Sequence, residues 1–169
     1  MKWIAISGSW RKINKKVEQD VRKVVKDILA RGDGIITGGA LNVDYIAIDE
    51  TLKNDPNAKR IKVFLPTTLE IYAGHYHMRA KEGVIIEKQA EDLISQLQLM
   101  KEINPSSLIE DAVNKLLDRR AYFGRNTEEI KAADGLVAFH VNRSEGVADT
   151  IEKAKKKGIP VRKFVYVIK

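Results

Sequence analysis

The chain has 169 residues, 44% hydrophobic and 31% charged, with no cysteine and a formal net charge of +7 at pH 7. This length and composition predict one globular domain over residues 1–169, and they exclude low-complexity chains, disulfide scaffolds and thiolate metal sites. No apolar run approaches the roughly 18 residues that a membrane span requires, and the apolar N-terminal run is too short for a signal peptide. We therefore expect a cytoplasmic protein with no membrane partner.

The positive charge allows two interpretations. It makes polyanions such as nucleotides or nucleic acid plausible partners. Lysine-rich helices with interleaved acids, however, also occur simply as solvated surfaces. The run Lys155–Lys157 sits at a predicted helix end, where cations suit the helix dipole. Charge alone leaves both interpretations open.

Short apolar runs alternate with longer segments of helical periodicity, which is typical of βαβ units and a parallel sheet. Glycines punctuate the ends of several of these segments. In chain order the first half is predicted to contain a strand (3–6), a helix (17–28), a strand (34–37), a helix (43–52) and a strand (61–65).

The alternation is interrupted between about residues 79 and 117 by a predicted helical insert of two helices, broken at Asn104-Pro105. The first carries an apolar stripe near heptad spacing: Ile86, Ala90, Leu93, Leu97 and Met100. This stripe predicts either ordinary core packing or a self-association surface, and the second option leads us to expect a homo-oligomer. The remainder is predicted as a short helix (127–133), a strand (136–139), a helix (146–157) and a strand (161–168).

These elements predict a Rossmann-like α/β fold, a doubly wound parallel sheet of about five strands with the insert between strands three and four. Ligands of such sheets bind outside the carboxyl ends of the strands, where the strand order reverses. The loops after strands one, two and four should share that edge.

Two of these loops carry glycines next to polar side chains. The loop after strand one contains Gly8, Ser9 and Trp10, which could supply backbone donors, a hydroxyl and a stacking surface. A tight β-to-α turn has the same composition. The loop after strand two offers a backbone nest for an anion, and Asp44 there could accept hydrogen bonds from a sugar or cap the following helix. Its candidate residues are Thr37, Gly38, Gly39 and Asp44.

The loop after the fourth predicted strand leads into a helix that Ser144 could cap. Its candidate residues are Asn142, Ser144, Glu145 and Gly146. Arg125 and Asn126, predicted to precede the short helix, could contact phosphate and base edges or merely begin that helix. We expect Gly8, Gly39 and Gly146 to surround one hollow. His75 and His77 have no ligand partner at a fixed spacing, so no metal and no cofactor are predicted.

In combination these segments resemble the SLOG superfamily of Rossmann-like domains, which includes LONELY GUY-type phosphoribohydrolases, DNA-processing protein A, and YpsA-like and molybdenum-carrier-like proteins. The resemblance covers most of the chain outside the insert. The segments that carry it are Ser7–Ser9, Thr37–Ala47, Gly124–Asn126, Ala133–Phe139, Ser144–Thr150 and Lys157–Val161.

The resemblance implies a nucleotide-type ligand at these loops. In the phosphoribohydrolase branch a Pro-Gly-Gly-x-Gly-Thr-x-x-Glu motif supplies a glutamate that acts with an arginine on an N-glycosidic bond. Laid on this chain, the glutamate falls on Glu152, and Arg79 is the nearest candidate arginine. Glu145 replaces a glycine of that motif and Asp149 a threonine, and both add negative charge near the phosphate position.

Three functional hypotheses follow. The first is binding of a nucleotide or nucleotide-derived ligand, as a carrier or sensor without a complete catalytic motif. The second is an N-glycosidase or phosphoribohydrolase acting on nucleoside monophosphates through Glu152 and Arg79. The third is binding of single-stranded nucleic acid, which the positive charge favours.

Overall fold

The computed structural model describes all 169 residues and contains one six-stranded sheet. All neighbouring strands are parallel, in the order β4-β3-β2-β1-β5-β6. The strands are β1 (Trp3–Gly8), β2 (Gly34–Thr37), β3 (Ile61–Phe64), β4 (Leu108–Ile109), β5 (Gly135–Val141) and β6 (Val161–Tyr166). The helices are α1 (Lys15–Ala30), α2 (Val43–Asn54), α3 (Leu69–Lys81), α4 (Glu87–Ile103), α5 (Arg119–Ala132) and α6 (Glu145–Lys157). The predicted fold class is confirmed, with one strand more than expected.

The order of the strands reverses beside β1. Ile4 pairs with Ile35 of β2 on one side and with Gly135 of β5 on the other. Connections from β1 to β4 run in one direction along the sheet, and the connection from β5 to β6 runs in the other. The carboxyl ends of β1 and β5 therefore flank the crevice in which doubly wound sheets bind their ligands.

Helices cover both faces of the sheet, as right-handed crossovers require. On one face, α1, α2 and α4 pack on strand residues such as Ile6 and Ile35 in the larger core. On the other face, α5 and α6 pack on Ala5 and Ala138 in the smaller core. Small residues on that face let α5 and α6 approach the sheet closely.

The second helix predicted in the insert is wrong. Leu108 and Ile109 instead form β4 beside Val63 and Phe64 of β3, after a single 3₁₀ turn at Pro105–Ser107. The chain from 110 to 118 is a loop. The Asp111 carboxylate accepts the N–H of Val113 and of Asn114, a local bond that competes with helix formation. Val113 is 90% exposed, so this apolar side chain does not pack against the core as the predicted helix required.

One further helix and one helix boundary also differ from the prediction. Helix α3 was not predicted, although Thr68 caps it and Leu69, Tyr72 and Tyr76 form its buried face. Helix α5 begins at Arg119 rather than 127, because the Asp118 side chain caps it by accepting the Ala121 N–H at 2.8 Å. Arg125 and Asn126 consequently lie within the helix and not before it.

The near-heptad stripe of α4 is core packing. Ala90, Leu93, Leu97 and Met100 are fully buried against the rest of the chain, and only Ile86, which precedes the helix, is exposed. This stripe therefore offers no surface for self-association. None of the helices is long and apolar enough to cross a membrane.

Candidate ligand-binding cleft

A cleft of about 950 Å³ opens at the carboxyl ends of β1 and β5. Its walls are the loops after these two strands, one side of α5, and the second half of α3 with the segment that follows it. Of the residues proposed from the sequence, eleven line it: Gly8, Ser9, Trp10, Asp44, Arg79, Arg125, Asn126, Asn142, Ser144, Glu145 and Gly146. Thr37, Gly38, Gly39 and Glu152 do not.

The loop after β1 is shaped partly by packing and partly by its exposed tip. A Cβ on Gly8 would lie 2.5 Å from Val43 Cγ2, so this glycine makes room for the start of α2. Ser9 is buried and its Oγ accepts the N–H of Arg11 at 3.3 Å. Trp10 is 39% exposed, and the Arg11 guanidinium lies 5.1 Å from its ring centroid. The tip thus presents an aromatic face and cations to the cleft.

The loop after β5 ends in a helix start with free donors. The N–H groups of Glu145, Gly146 and Val147 have no acceptor within the protein, and Ser144 makes no side-chain cap. A Cβ on Gly146 would meet nothing within 4 Å. These donors and the positive end of the α6 dipole line the cleft, an arrangement that favours an anion.

Two consecutive residues of this loop have left-handed backbone conformations. They are Asn142, with φ 50°, and Arg143, with φ 55°. The Asn142 side chain exchanges two hydrogen bonds with the backbone of Ile168, at 2.9 and 2.8 Å, which fixes its orientation. Arg143 is exposed, has no ion-pair partner and lines the cleft in this rare conformation.

The loop after β2 is filled by the protein's own side chains. Arg125 Nη1 donates a hydrogen bond to the Gly38 carbonyl, and the Tyr72 hydroxyl donates one to the Gly39 carbonyl at 2.9 Å. A Cβ on Gly38 would lie 2.5 Å from Glu129 Oε1 and 2.6 Å from Arg125 Cζ. Gly39, with φ 69°, packs against Leu65. Gly8 and Gly146 share the cleft, whereas Gly39 lies behind it.

Thr37 ends β2 beneath this loop. It is fully buried and its Oγ1 has no hydrogen-bond partner of normal geometry. The hydroxyl nevertheless lies close enough to Asp44 to oppose in part the rise that burial causes in the pKa of that carboxyl.

A buried cluster of Asp44, Arg125 and Glu129 forms the floor of the cleft. Asp44 Oδ2 accepts the Ala40 N–H at 3.1 Å, and Arg125 Nε lies 3.5 Å from Glu129 Oε1. Burial raises the pKa of Asp44, and it raises the pKa of Glu129 to about 8, while the Arg125 guanidinium opposes both shifts. Two carboxyls thus share one guanidinium, so the cluster retains a proton near neutral pH.

We expect Glu129→Gln to remove a pH dependence of stability. A glutamate whose pKa rises on folding stabilises the fold fully below its unfolded pKa of about 4.5 and loses that contribution as pH rises through about 8. The free energy of unfolding in urea, measured at pH 6 and pH 9, should fall less for the variant than for the wild type. Glu128→Gln, an exposed neighbour on α5, is the matched control and should follow the wild type. Equal pH slopes for all three proteins would contradict the assignment.

Asp149 and Glu145, the two acidic residues by which this chain departs from the phosphoribohydrolase motif, each form an ion pair within the protein. Asp149 accepts hydrogen bonds from Asn126 Nδ2 at 3.2 Å and from Lys153 Nζ at 2.6 Å. Glu145 forms an ion pair with Arg119 across the mouth of the cleft. Asn126, with its Nδ2 also 3.5 Å from the Gly146 carbonyl, is buried and joins α5 to the first turn of α6.

The two residues proposed as catalytic lie apart. Glu152 points to solvent from α6, its side chain is 67% exposed, and it pairs with Lys156 at 3.1 Å. Arg79 lines the cleft from α3 and pairs with Glu82 at 2.8 Å. The structure therefore does not bring a Glu152 carboxylate to the cleft.

Several cleft residues were not singled out from the sequence. They are Glu129, Tyr76, Arg11, Lys12 and Arg143. The spacing of Arg125 and Glu129, four residues apart, could have indicated an ion pair once the helix was predicted to begin at Asp118. Tyr76 belongs to the helix that was not predicted.

No family model matches the sequence, and a comparison with curated proteins found no match. Solved structures do resemble the fold. DNA processing protein A from Helicobacter pylori, described for its single-stranded DNA binding mode, superposes with a TM-score of 0.68 at 20% identity, over 97% of this chain and 64% of that one. The Streptococcus pneumoniae protein of the same name gives 0.65 at 19% identity, over 96% and 50%. The molybdenum cofactor carrier protein of Chlamydomonas reinhardtii gives 0.55 at 15% identity, over 100% and 91%.

At these identities the likeness establishes a shared Rossmann-like fold. The chain spans only 64% and 50% of the two DNA processing proteins. The names of these structures cover proteins with different ligands, so the assignment of a ligand depends on the cleft itself.

Proposed function

We propose that this protein belongs to the SLOG group and binds a nucleotide or nucleotide-derived ligand in the cleft between β1 and β5, as a carrier or sensor. The observation that carries the proposal is the combination of free donors and free cations at one end of the cleft. The N–H groups of Glu145 to Val147, which have no acceptor in the protein, belong to residues that line the cleft, and Arg11 and Arg143 line it without acidic partners. A phosphate is the ligand group that such an arrangement favours.

The rest of the cleft suits the non-phosphate part of a nucleotide. Trp10, Tyr122 and Phe123 provide aromatic surface along its walls. Aromatic faces stack readily on a base, and a volume of about 950 Å³ is at the upper end of the range for small-molecule sites. Because Glu152 faces solvent, binding is better supported than hydrolysis of an N-glycosidic bond.

A second candidate is single-stranded nucleic acid, favoured by a basic surface beside the cleft. Arg119, Arg120 and Lys153 surround Phe123, with the Arg119 Cζ 4.9 Å and the Lys153 Nζ 5.4 Å from its ring centroid. Cations around an aromatic ring suit a strand of stacked bases with a charged backbone. The DNA processing protein of Helicobacter pylori, which shares the fold, is described as binding single-stranded DNA.

The test is calorimetric titration with nucleoside monophosphates and with an oligo(dT) strand, using wild type and Arg143→Gly. Glycine relieves the left-handed conformation, so we expect the variant to gain about 1 kcal/mol in free energy of unfolding while it binds mononucleotides more weakly, by about tenfold. Arg162→Gly, in the exposed edge strand β6, removes the same charge away from the cleft and should leave affinity unchanged.

The outcomes separate the candidates. Mononucleotide binding that depends on Arg143 supports the small-molecule proposal. Binding of oligo(dT) alone, weakening steeply with added salt, would favour the second candidate. No binding of either ligand at low salt would refute both.

A further inference from the structure

The floor of the cleft contains an acidic side chain without hydrogen bonds. Glu129 is 3% exposed and lines the cleft, yet neither of its oxygens accepts a hydrogen bond from any group of the protein. Its contact with Arg125 is an ion pair at 3.5 Å from Nε to Oε1. A buried carboxyl normally accepts several hydrogen bonds, and one left without them has unused acceptor capacity.

A tyrosine in the wall of the cleft, Tyr76, also offers only an acceptor. The Tyr72 hydroxyl donates its only hydrogen to the Gly39 carbonyl at 2.9 Å. The 3.3 Å contact between Tyr72 and Tyr76 must therefore have Tyr76 as the donor. This leaves the Tyr76 oxygen, on the wall of the cleft, able only to accept.

A ligand group that contacts Glu129 and Tyr76 must present hydrogen-bond donors rather than acceptors. A carboxylate binds best to two parallel N–H groups, as it does in its pair with a guanidinium. Among the nucleic-acid bases, guanine alone offers two adjacent donors on one edge, N1–H and the 2-amino group. Adenine and cytosine offer one donor beside an acceptor nitrogen, which a carboxylate repels.

We propose that Glu129 reads the edge of a guanine-type ring that carries the ring N–H and the adjacent 2-amino group, in a ligand whose phosphate lies at the start of α6. This inference rests on the proposed function and names its ligand class. The same edge occurs in pterins, so the shared chemistry is the paired N–H donors of that ring. Glu129 acts as a specificity-determining residue and takes no part in bond breaking.

The charges around Glu129 set the pH behaviour of this contact. Arg125 faces it from α5, Asp44 from α2, and Lys153 with its partner Asp149 from α6. The carboxyl must be ionised to accept both N–H groups, and burial holds its pKa at about 8. Affinity for the ring should therefore increase from pH 6.5 to pH 8.5, and binding at pH 7 should release a proton.

The experiment compares two pairs of ligands that differ at the 2-position: GMP against IMP, which lacks the 2-amino group, and pterin against lumazine, which has an oxo group in its place. We expect the wild type to bind GMP about tenfold more tightly than IMP, since a hydrogen bond to a charged group is lost. Glu129→Gln should reduce this ratio to about two or less and remove its pH dependence. Glu128→Gln, on the same helix outside the cleft, should keep both. Thermal melting checks that each variant is folded.

The outcomes distinguish a failure of this inference from a failure of the proposed function. If the protein distinguishes pterin from lumazine but not GMP from IMP, Glu129 still binds the paired N–H donors, and the ligand is a pterin rather than a guanine nucleotide. Equal affinity for GMP, IMP and AMP, dependent on Arg143, would overturn this inference and leave the proposed function standing. The absence of any nucleotide or pterin binding would overturn both.

Discussion

Arg125→Met is expected to lower the free energy of unfolding by about 3–5 kcal/mol at pH 7. The side chain is 9% exposed and is the only cation of the cluster with Asp44 and Glu129. Methionine keeps most of the apolar stem, but it leaves the buried Asp44 and Glu129 carboxyls, which share one proton near neutral pH, without their guanidinium, and it removes a donor from the Gly38 carbonyl. The loss should be smaller at pH 5, where both carboxyls can be protonated in the fold.

Equilibrium unfolding in urea at pH 7 and pH 5 measures this effect. Arg120→Met is the matched control, because Arg120 lies on the same helix, is exposed and has no ion pair. It should change the unfolding free energy by less than about 0.5 kcal/mol. An Arg125 variant as stable as the Arg120 variant would mean that the cluster contributes nothing to folding.

Gly38→Ala is expected to be destabilising by about 3 kcal/mol. Its Cβ would lie 2.5 Å from Glu129 Oε1 and 2.6 Å from Arg125 Cζ, the ends of two largely buried side chains that would have to move together. Overpacking of this kind moves side chains off their rotamers and shifts backbone. The thermal midpoint of unfolding is a direct measurement of the change.

Gly124→Ala provides the opposite result as a control. Gly124 lies inside α5 with nothing within 4 Å of an added Cβ, so alanine should raise the unfolding free energy by about 0.5–1 kcal/mol. Similar effects of the two substitutions would show that Gly38 is not tightly enclosed.

The strands and the crossover helices were predictable because hydrophobic periodicity reports burial directly. The runs 3–6, 34–37 and 136–139 fall within strands of the structure, and the stripes of α1 and α6 face its core. Segment 108–117 was not predictable by the same reasoning. Its apolar spacing suits a helix, but Leu108 and Ile109 pair with a strand more than forty residues earlier in the chain. Pairing over that distance is a tertiary effect that no local pattern reports.

The candidate site was predictable in location and less so in detail. The loops after β1 and β5 were identified by their glycines and by the rule for doubly wound sheets. The loop after β2 also contains glycines, but there they make room for the protein's own side chains. Gly38 admits a charged pair from α5, and sequence alone does not tell whether the space beside a glycine receives a ligand or the protein's own side chain. Glu129 was missed because its role depends on that filled space.

The side chains that cover the end of β2 make the ligand-binding edge one-sided. In a symmetrical doubly wound sheet both halves beside the strand reversal are open, and a dinucleotide can lie across them. Here the Arg125 guanidinium and the Tyr72 hydroxyl donate hydrogen bonds to the Gly38 and Gly39 carbonyls, so the half of the edge beside β2 is buried. For a ligand bound as proposed, added length would therefore extend toward the open mouth of the cleft, and the position of the ring at the floor would stay unchanged.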